Sequence, residues 1–455
     1  MKYTVWGDFA ANVVCFPHIP YIPNKLPCLC GMEVVWYLFN LRNLFPIMAN
    51  IDHLQFVATG KEQRNIMILM VVGLVLALVG VFLNIDNPTR IWTALLYNTF
   101  FTVGIALAAT FFIAANTQGY GGWYIMFRRV MEAMSLYLPV GGILLLVVVF
   151  LGMGHIYHWL DPSLTDPASP NYDKILAGKS AYLNKPFFLG RIVLYVVAWS
   201  AFAWLLRRNS LEGDKGYNQK LYQNSKYIAA FFIVFFAVSE SMASWDLFMS
   251  IQPHWYSTLW GWYNFISYFV TGMSVTYLLC AYLKTRGYLP YMTDEHFHDI
   301  GKFMFGFSIA WTYLYFSQFM LIWYSNMPEE TKYYEIRNAH YPILMWFTFI
   351  LNFITPFLIL VTRGAKRNFK VACTLGAVII FGHWMDFFQM SMPGALANMS
   401  HGGHEVHFSG IGLLEIGIFC FYIGLFLFVF FRNLAAAPML PVNHPFVKES
   451  FVHHT

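Results

Sequence analysis

Seven ionisable side chains lie within long apolar stretches of this sequence, where charged groups are otherwise scarce. They are Glu132, Arg191, Glu240, Asp246, His383, Asp386 and Glu415. Carboxylates combined with an arginine and a histidine can take up and release protons, or accept a hydrogen bond from a hydroxylated ligand. We therefore predict that these residues form a proton path. The alternative is structural: Arg191 neutralises one carboxylate, and the other side chains face loops or water.

Ten apolar runs contain these side chains and predict an all-α, polytopic membrane protein. Each run has about 20 residues, the length that a helix needs to cross about 30 Å of hydrocarbon. The runs cover residues 66–83, 91–115, 130–153, 187–206, 227–248, 256–283, 303–324, 341–362, 371–390 and 410–431. The composition agrees, because 58% of the residues are hydrophobic and only 11% are charged. The loops supply too little polar material for a soluble protein to cover ten such helices.

The basic residues of the loops are distributed unequally between the two sides of the predicted membrane. From residue 48 onward, eighteen Lys and Arg fall on the side of the termini. Only six fall on the other side: Arg90, Lys174, Lys179, Lys185, Lys332 and Arg337. Because cytoplasmic loops carry an excess of Lys and Arg, both termini are expected in the cytoplasm. The loop with Arg363, Lys366, Arg367 and Lys370 is expected on the same side.

The chain divides into an N-terminal arm, a membrane domain and a tail. The arm covers residues 1–60, the ten-helix domain residues 61–440, and the cytoplasmic tail residues 441–455. The arm contains five prolines but no run long enough to span, and it lacks the pattern of a secretory signal peptide. Two interpretations stay open: the arm is disordered or interfacial, or translation begins at Met48.

No pattern of cysteines predicts a redox cofactor on this chain. There is no C-x-x-C-H sequence for covalent haem and no cysteine cluster suited to an iron–sulfur centre. The segment after the ninth run is predicted to be an exposed loop that docks a periplasmic partner. It contains Met390, Met392, Met399, His401, His404 and His407. Imidazole and thioether groups suit copper, but the spacing matches no known ligand set, so we expect no bound metal.

Small polar residues form a stripe along the sixth run, at helical spacing. They are Ser257, Asn264, Ser267, Thr271 and Ser274. Such residues most often let membrane helices pack closely. A hydrated proton path is the alternative interpretation.

The junction between the fifth and sixth runs carries a resemblance to a known family. Residues 244–263 read SWDLFMSIQPHWYSTLWGWY and resemble the signature of NrfD-like quinone-interacting membrane subunits. Tyr256 departs from the pattern, since many members have His there. Together with residues 292–307, MTDEHFHDIGKFMFGF, this stretch is most similar to one of the two NrfD-like subunits of bacterial alternative complex III. The resemblance extends over about residues 60–440.

This resemblance implies two four-helix bundles, spans two to five and six to nine, flanked by spans one and ten. It implies a multi-pass subunit of the bacterial inner membrane, in a complex that oxidises menaquinol-type quinols. The partner subunits would be a second NrfD-like chain, an iron–sulfur subunit and c-type cytochromes that carry haem c. The chain itself would bind no redox cofactor, would not be catalytic alone, and would contribute a proton path.

The resemblance also implies a second or vestigial quinone site, whose candidate residues are Asp246, His254 and Tyr256. Tyr256 would be a poor base at neutral pH, because tyrosine titrates near 10.

Two further functions compete with this one. A secondary transporter would have interrupted helices in corresponding positions of its two halves. Pro139 and the pair Thr355-Pro356 mark two places where a helix could be interrupted. A membrane scaffold would require only that the buried charges are paired with each other.

Overall fold

The computed structural model describes residues 54–400, 408 and 410–454, without the side chains of residues 399 and 400. In this part of the chain, ten helices are long and apolar enough to cross a membrane. They are Gly60–Leu83, Pro88–Gln118, Trp123–Ile156, Lys185–Gly213, Gln219–Ile251, Leu259–Thr285, Asp294–Ser325, Pro342–Leu360, Phe369–Asn398 and Leu413–Ala435. The predicted all-α architecture with ten spans is confirmed. Our predictions for residues 1–53, including the start at Met48, and for His401, His404 and His407 lie outside the described residues.

The spans form two four-helix bundles, as expected. The second to fifth spans contact one another in a ring, and the sixth to ninth spans form a second ring. The second span also packs against the sixth and ninth, so it joins the two bundles. The first and tenth spans pair with each other, and the tenth rests on the second.

Glycines allow the first and tenth spans to approach closely. A Cβ added to Gly73 would lie 2.4 Å from the main-chain nitrogen of Phe421, and one added to Gly417 would lie 2.3 Å from that of Ala77. In lipid, helices associate through such close packing, because burying apolar surface gains little there. These glycines therefore allow the close main-chain contact between the first and tenth spans.

Among the described residues, the third and eighth spans contain internal interruptions, and these two spans do not correspond between the bundles. The third span begins as a 3₁₀ turn at Trp123–Phe127, continues as Arg128–Ser135, and resumes as Leu138–Ile156 with Pro139 in its first turn. The eighth span contains a π-helical turn at Ile350–Ile354. The third span is the second helix of its bundle, whereas the eighth is the third helix of its own. The interruptions of these two spans therefore do not occupy corresponding helices of the two bundles.

The prediction of a loop directly after residue 390 is wrong, because the ninth helix continues to Ser400 with Pro393 inside it. Proline has no N–H to donate to the carbonyl four residues earlier, which here belongs to Gln389. The Nε of Arg337 donates to that carbonyl oxygen at 3.0 Å. A side chain from a neighbouring helix thus satisfies the group that Pro393 leaves free, and the helix passes through the proline.

The segment predicted as a tail packs against the ends of the spans. Ser450 donates to the carbonyl oxygen of Trp123 at 2.7 Å, and His453 lies 2.6 Å from a carboxylate oxygen of Asp299. Burial lowers the pKa of the His444 ring well below its ordinary value. This segment therefore connects the beginning of the third span to the beginning of the seventh.

Candidate functional site

Asp246 and Arg191 form a bidentate ion pair between the fifth and fourth spans. The Nε of Arg191 lies 2.9 Å from Oδ2 of Asp246, and its Nη2 lies 2.7 Å from Oδ1. The hydroxyl of Tyr195 donates to Oδ2 at 3.3 Å. Asp246 is fully buried. Bidentate pairing makes this a strong and directional contact between the two spans.

Glu415 forms a second such pair, with Arg90. The Nε and Nη2 of Arg90 lie 2.8 and 3.0 Å from the two carboxylate oxygens, and the main-chain N–H of Gly412 donates to Oε2 at 2.8 Å. The sequence places Arg90 among the loop charges, but it lies in the first turn of the second span, after Asn87 and Pro88. An N-cap asparagine followed by proline is a helix-start signal that would have placed it correctly.

Glu132 lies among three arginines at the end of the third span. Its carboxylate oxygens are 2.8 Å from Arg128, 2.7 Å from Arg129 and 2.6 Å from Arg207. Arg129 also pairs with Asp214. All three arginines are buried. Three guanidinium groups therefore bind the carboxylate of Glu132.

Glu240 is different, because its carboxyl group is buried beside hydroxyl groups alone. Ser244 donates to Oε1 at 3.1 Å, and Ser241 and Tyr268 lie near the same carboxyl. Within the described part of the chain, no Lys, Arg or His side chain forms an ion pair with it. Only 4% of the residue is exposed. Glu240 is thus a buried carboxyl group without a cation to balance its charge.

Glu240 and Asp246 do not act as one pair, although both belong to the fifth span. Six residues separate them, which places their side chains about a third of a turn apart around the helix. Asp246 faces Arg191 of the fourth span, whereas Glu240 faces Tyr268 of the sixth. The two carboxyl groups therefore have separate surroundings.

Asp386 lies in the second bundle and accepts from three neutral donors. Tyr263 donates to Oδ1, and both Ser267 and Trp311 place a donor 3.0 Å from Oδ2. His383 lies one turn away with its Nδ1 3.8 Å from Oδ2, which is too long for a direct hydrogen bond. Both ring nitrogens of His383 are buried without a hydrogen-bond partner among the described residues.

The predicted sharing of one helix face by His383 and Asp386 is observed, but the larger polar cluster is not. Arg191 and Glu415 each have a partner elsewhere, so they do not join these two residues. The five carboxyl groups named in the sequence analysis therefore have separate surroundings.

Most hydroxyls of the polar stripe on the sixth span bond to their own helix. Thr271 donates to the carbonyl oxygen of Ser267 at 2.7 Å, and Ser274 donates to that of Val270 at 2.9 Å. This is the behaviour of small polar residues at a helix-packing surface. Ser267 is the exception, since it also reaches Asp386.

The three candidate quinone residues have different surroundings. Asp246 is buried in its pair with Arg191, while Nε2 of His254 lies 2.9 Å from Asp173 in a surface groove of about 510 Å³. Tyr256 is 61% exposed. Asp246 is not among the residues that line this groove.

No group of three or more His, Cys, Asp and Glu side chains is placed to hold a metal ion within residues 54–400, 408 and 410–454. The histidines at 401, 404 and 407 fall in the gap between these ranges.

No family model matches this sequence, and no curated protein matches it. Function is therefore inferred from the geometry of the buried carboxyl groups and from the resemblance of residues 244–263.

Proposed function

We propose that this chain is an integral membrane subunit of a quinol-oxidising respiratory complex in the bacterial inner membrane. Oxidation of a quinol to a quinone releases two electrons and two protons. The electrons pass to iron–sulfur clusters and c-type haems held by partner subunits, and from there to cytochrome c or an oxidase. This chain contributes a path for the protons, binds no redox cofactor of its own, and has both termini in the cytoplasm.

The observation that supports a proton path is the contrast among the five buried carboxyl groups that the sequence analysis singled out. Guanidinium groups hold Glu132, Asp246 and Glu415, whereas Glu240 and Asp386 are bonded to neutral donors. Removing one partner of a buried ion pair is strongly destabilising, so the first three are suited to holding the fold. A carboxyl group without a cation can gain or lose a proton without breaking such a pair.

The proposed proton path therefore consists of Glu240 and Asp386, with His383 beside the latter. Arg191, Asp246, Glu132 and Glu415 leave the path and serve the fold. The quinol as substrate rests on the resemblance of residues 244–263, which also supplies the expectation of haem and iron–sulfur partners.

The competing functions explain less of the geometry. A scaffold accounts for the three arginine-bound carboxylates but not for Glu240 and Asp386, which are costly to bury. A transporter of the inverted-repeat type would have interruptions in corresponding helices, whereas here they fall in the third and eighth spans.

Purification of the tagged chain from its native membranes tests the proposal. We expect c-type haem in the reduced-minus-oxidised spectrum, iron–sulfur signals by electron paramagnetic resonance, and quinol:cytochrome c reductase activity in the same fraction. A chain that purifies without these partners, and that alone drives uptake of a solute into proteoliposomes, would contradict the proposal and favour a transporter.

A further inference from the structure

A lipid-facing groove lies between the seventh and eighth spans and the short helix Pro328–His340 that connects them. Its volume is about 560 Å³, within the range of small-molecule sites. Aromatic side chains form its walls, including Phe316, Trp323, Trp346 and Phe349. Such walls suit a planar aromatic ring and an apolar tail.

The inner wall of this groove separates it from a buried polar cavity. Tyr315, Tyr334 and Met345 line both spaces. The cavity has a volume of about 20 Å³, enough for one water molecule. Asp386 and Tyr263 also line this cavity. The groove is thus one layer of side chains away from the carboxyl group assigned to the proton path.

Contacts through this wall connect the groove to Asp386. The ring of Tyr315 stacks on that of Trp311 with a centroid distance of 5.2 Å, and Nε1 of Trp311 donates to Asp386 at 3.0 Å. Arg337 also lines the cavity, but its Nε and Nη1 are bonded to the main-chain carbonyls of Gln389 and Tyr333. Arg337 therefore supports the helix, and the carboxylate of Asp386 is an acceptor that lines the cavity.

We propose that this groove binds a quinol, with its ring against Tyr315, Tyr334 and Met345 and its isoprenoid tail along the aromatic walls. A water molecule in the cavity then links a quinol hydroxyl to Asp386. This inference rests on the proposed function for the substrate class. It places the ligand in the second bundle, away from the sequence candidates His254 and Tyr256.

The charge of the groove favours a quinol over a phospholipid. Its polar rim carries Glu335 with Asn326, Thr331 and Asn338, and no Lys or Arg is among the described residues that line it. A phosphate group would find no cation there. An acyl chain would fill the apolar walls but would make no use of the polar cavity behind them.

Photolabelling of the purified complex tests this site. The probe is an azido-naphthoquinone with an isoprenoid tail, and labelled peptides are identified by mass spectrometry. We expect label within residues 315–349, suppressed by excess unlabelled naphthoquinone but not by phosphatidylglycerol or phosphatidylethanolamine. Met345→Trp fills the inner end of the groove, so labelling there should fall about tenfold.

Phe347→Trp is the control, because it introduces the same indole side chain on the same helix but outside the groove. It should leave labelling unchanged. Trp346→Ala removes an exposed wall residue and should also weaken labelling, so the test does not depend on one variant. Size-exclusion elution of each variant verifies that the complex is assembled.

Three outcomes would overturn the site. Labelling that survives both groove variants, or that phospholipid suppresses, would exclude a quinol in this groove. Competed label confined to the peptide with residues 254–256 would move the ligand to the other bundle, while the proposed function would stand. Failure of the proposed function would look different: the purified preparation would lack haem, iron–sulfur signals and quinol oxidation.

Discussion

Arg337 donates from Nε to the main-chain carbonyl oxygen of Gln389 at 3.0 Å, the acceptor that Pro393 leaves without its helical partner. The sequence places Arg337 among the loop charges, but only 2% of it is exposed. The same side chain donates to the carbonyl oxygen of Tyr333 at 2.8 Å and lies over its ring. Arg337, in the helix that connects the seventh and eighth spans, thereby supplies the hydrogen bond that Pro393 cannot make within the ninth span.

Arg337→Gln should lower the stability of the protein, because the buried carbonyl of Gln389 loses its donor. We expect a cost of about 1–3 kcal/mol, seen as a lower apparent Tm in detergent. Adding Pro393→Ala restores the helical N–H and should recover part of the loss. Lys332→Gln, on the exposed face of the same helix, is the control and should change little. If Arg337→Gln lowers the apparent Tm equally with and without Pro393→Ala, Arg337 does not compensate for the proline.

Asp246→Asn should destabilise the protein by about 3–5 kcal/mol, because it leaves the buried guanidinium of Arg191 without its counter-charge. Replacing both partners with apolar residues, Arg191→Met with Asp246→Leu, should restore most of that stability. Thermal unfolding of the two single variants and the double variant measures the coupling. If the stability losses of the two single variants add in the double variant, Arg191 and Asp246 are not energetically coupled. Asp246 would then return to the proposed proton path.

Glu240→Gln should leave the fold intact, since Ser244 can donate to the amide oxygen and no cation loses a partner. The apparent stability should change by less than about 1 kcal/mol. Proton release per electron in proteoliposomes should fall more than the rate of electron transfer. Glu415→Gln, which breaks a pair with Arg90, is the contrasting variant and should lower stability instead. Unchanged proton release with Glu240→Gln would favour the scaffold.

Tyr256→Phe should leave quinol oxidation by the complex nearly unchanged. The side chain is exposed, and a phenol is a poor base at neutral pH. Turnover is measured with the complex shown to be intact by size-exclusion chromatography. A large fall in turnover would show that quinol chemistry depends on this residue and that the second-bundle groove is not the operative site.

The orientation can be measured with single cysteines in opposite loops. Arg363→Cys lies in the basic loop after the eighth span, and Glu329→Cys lies in the connection after the seventh; both positions are exposed. In spheroplasts, a membrane-impermeant maleimide should label the second and not the first. The unmodified protein gives the background from native cysteines. Labelling of position 363 alone would reverse the proposed topology.

The sequence by itself determined the number of spans and the class of fold. A segment that crosses hydrocarbon must satisfy its main-chain hydrogen bonds internally, so each helix is encoded by its own apolar run. Runs such as 66–83 and 187–206 therefore reappear within Gly60–Leu83 and Lys185–Gly213. The ninth apolar run ends at residue 390 and does not predict that the helix continues past Pro393 to Ser400. Within that helix the carbonyl of Gln389 accepts from Arg337, which belongs to a different helix.

Only the tertiary structure decided which buried charges are paired. Arg90 and Glu415 are 325 residues apart in the chain, and Arg191 and Asp246 are 55 apart, so no local spacing identifies them as partners. The same holds for the neutral donors around Asp386, which come from the sixth and seventh spans. Whether packing brings a cation to a buried carboxyl group is decided by contacts between helices, which no local sequence pattern encodes.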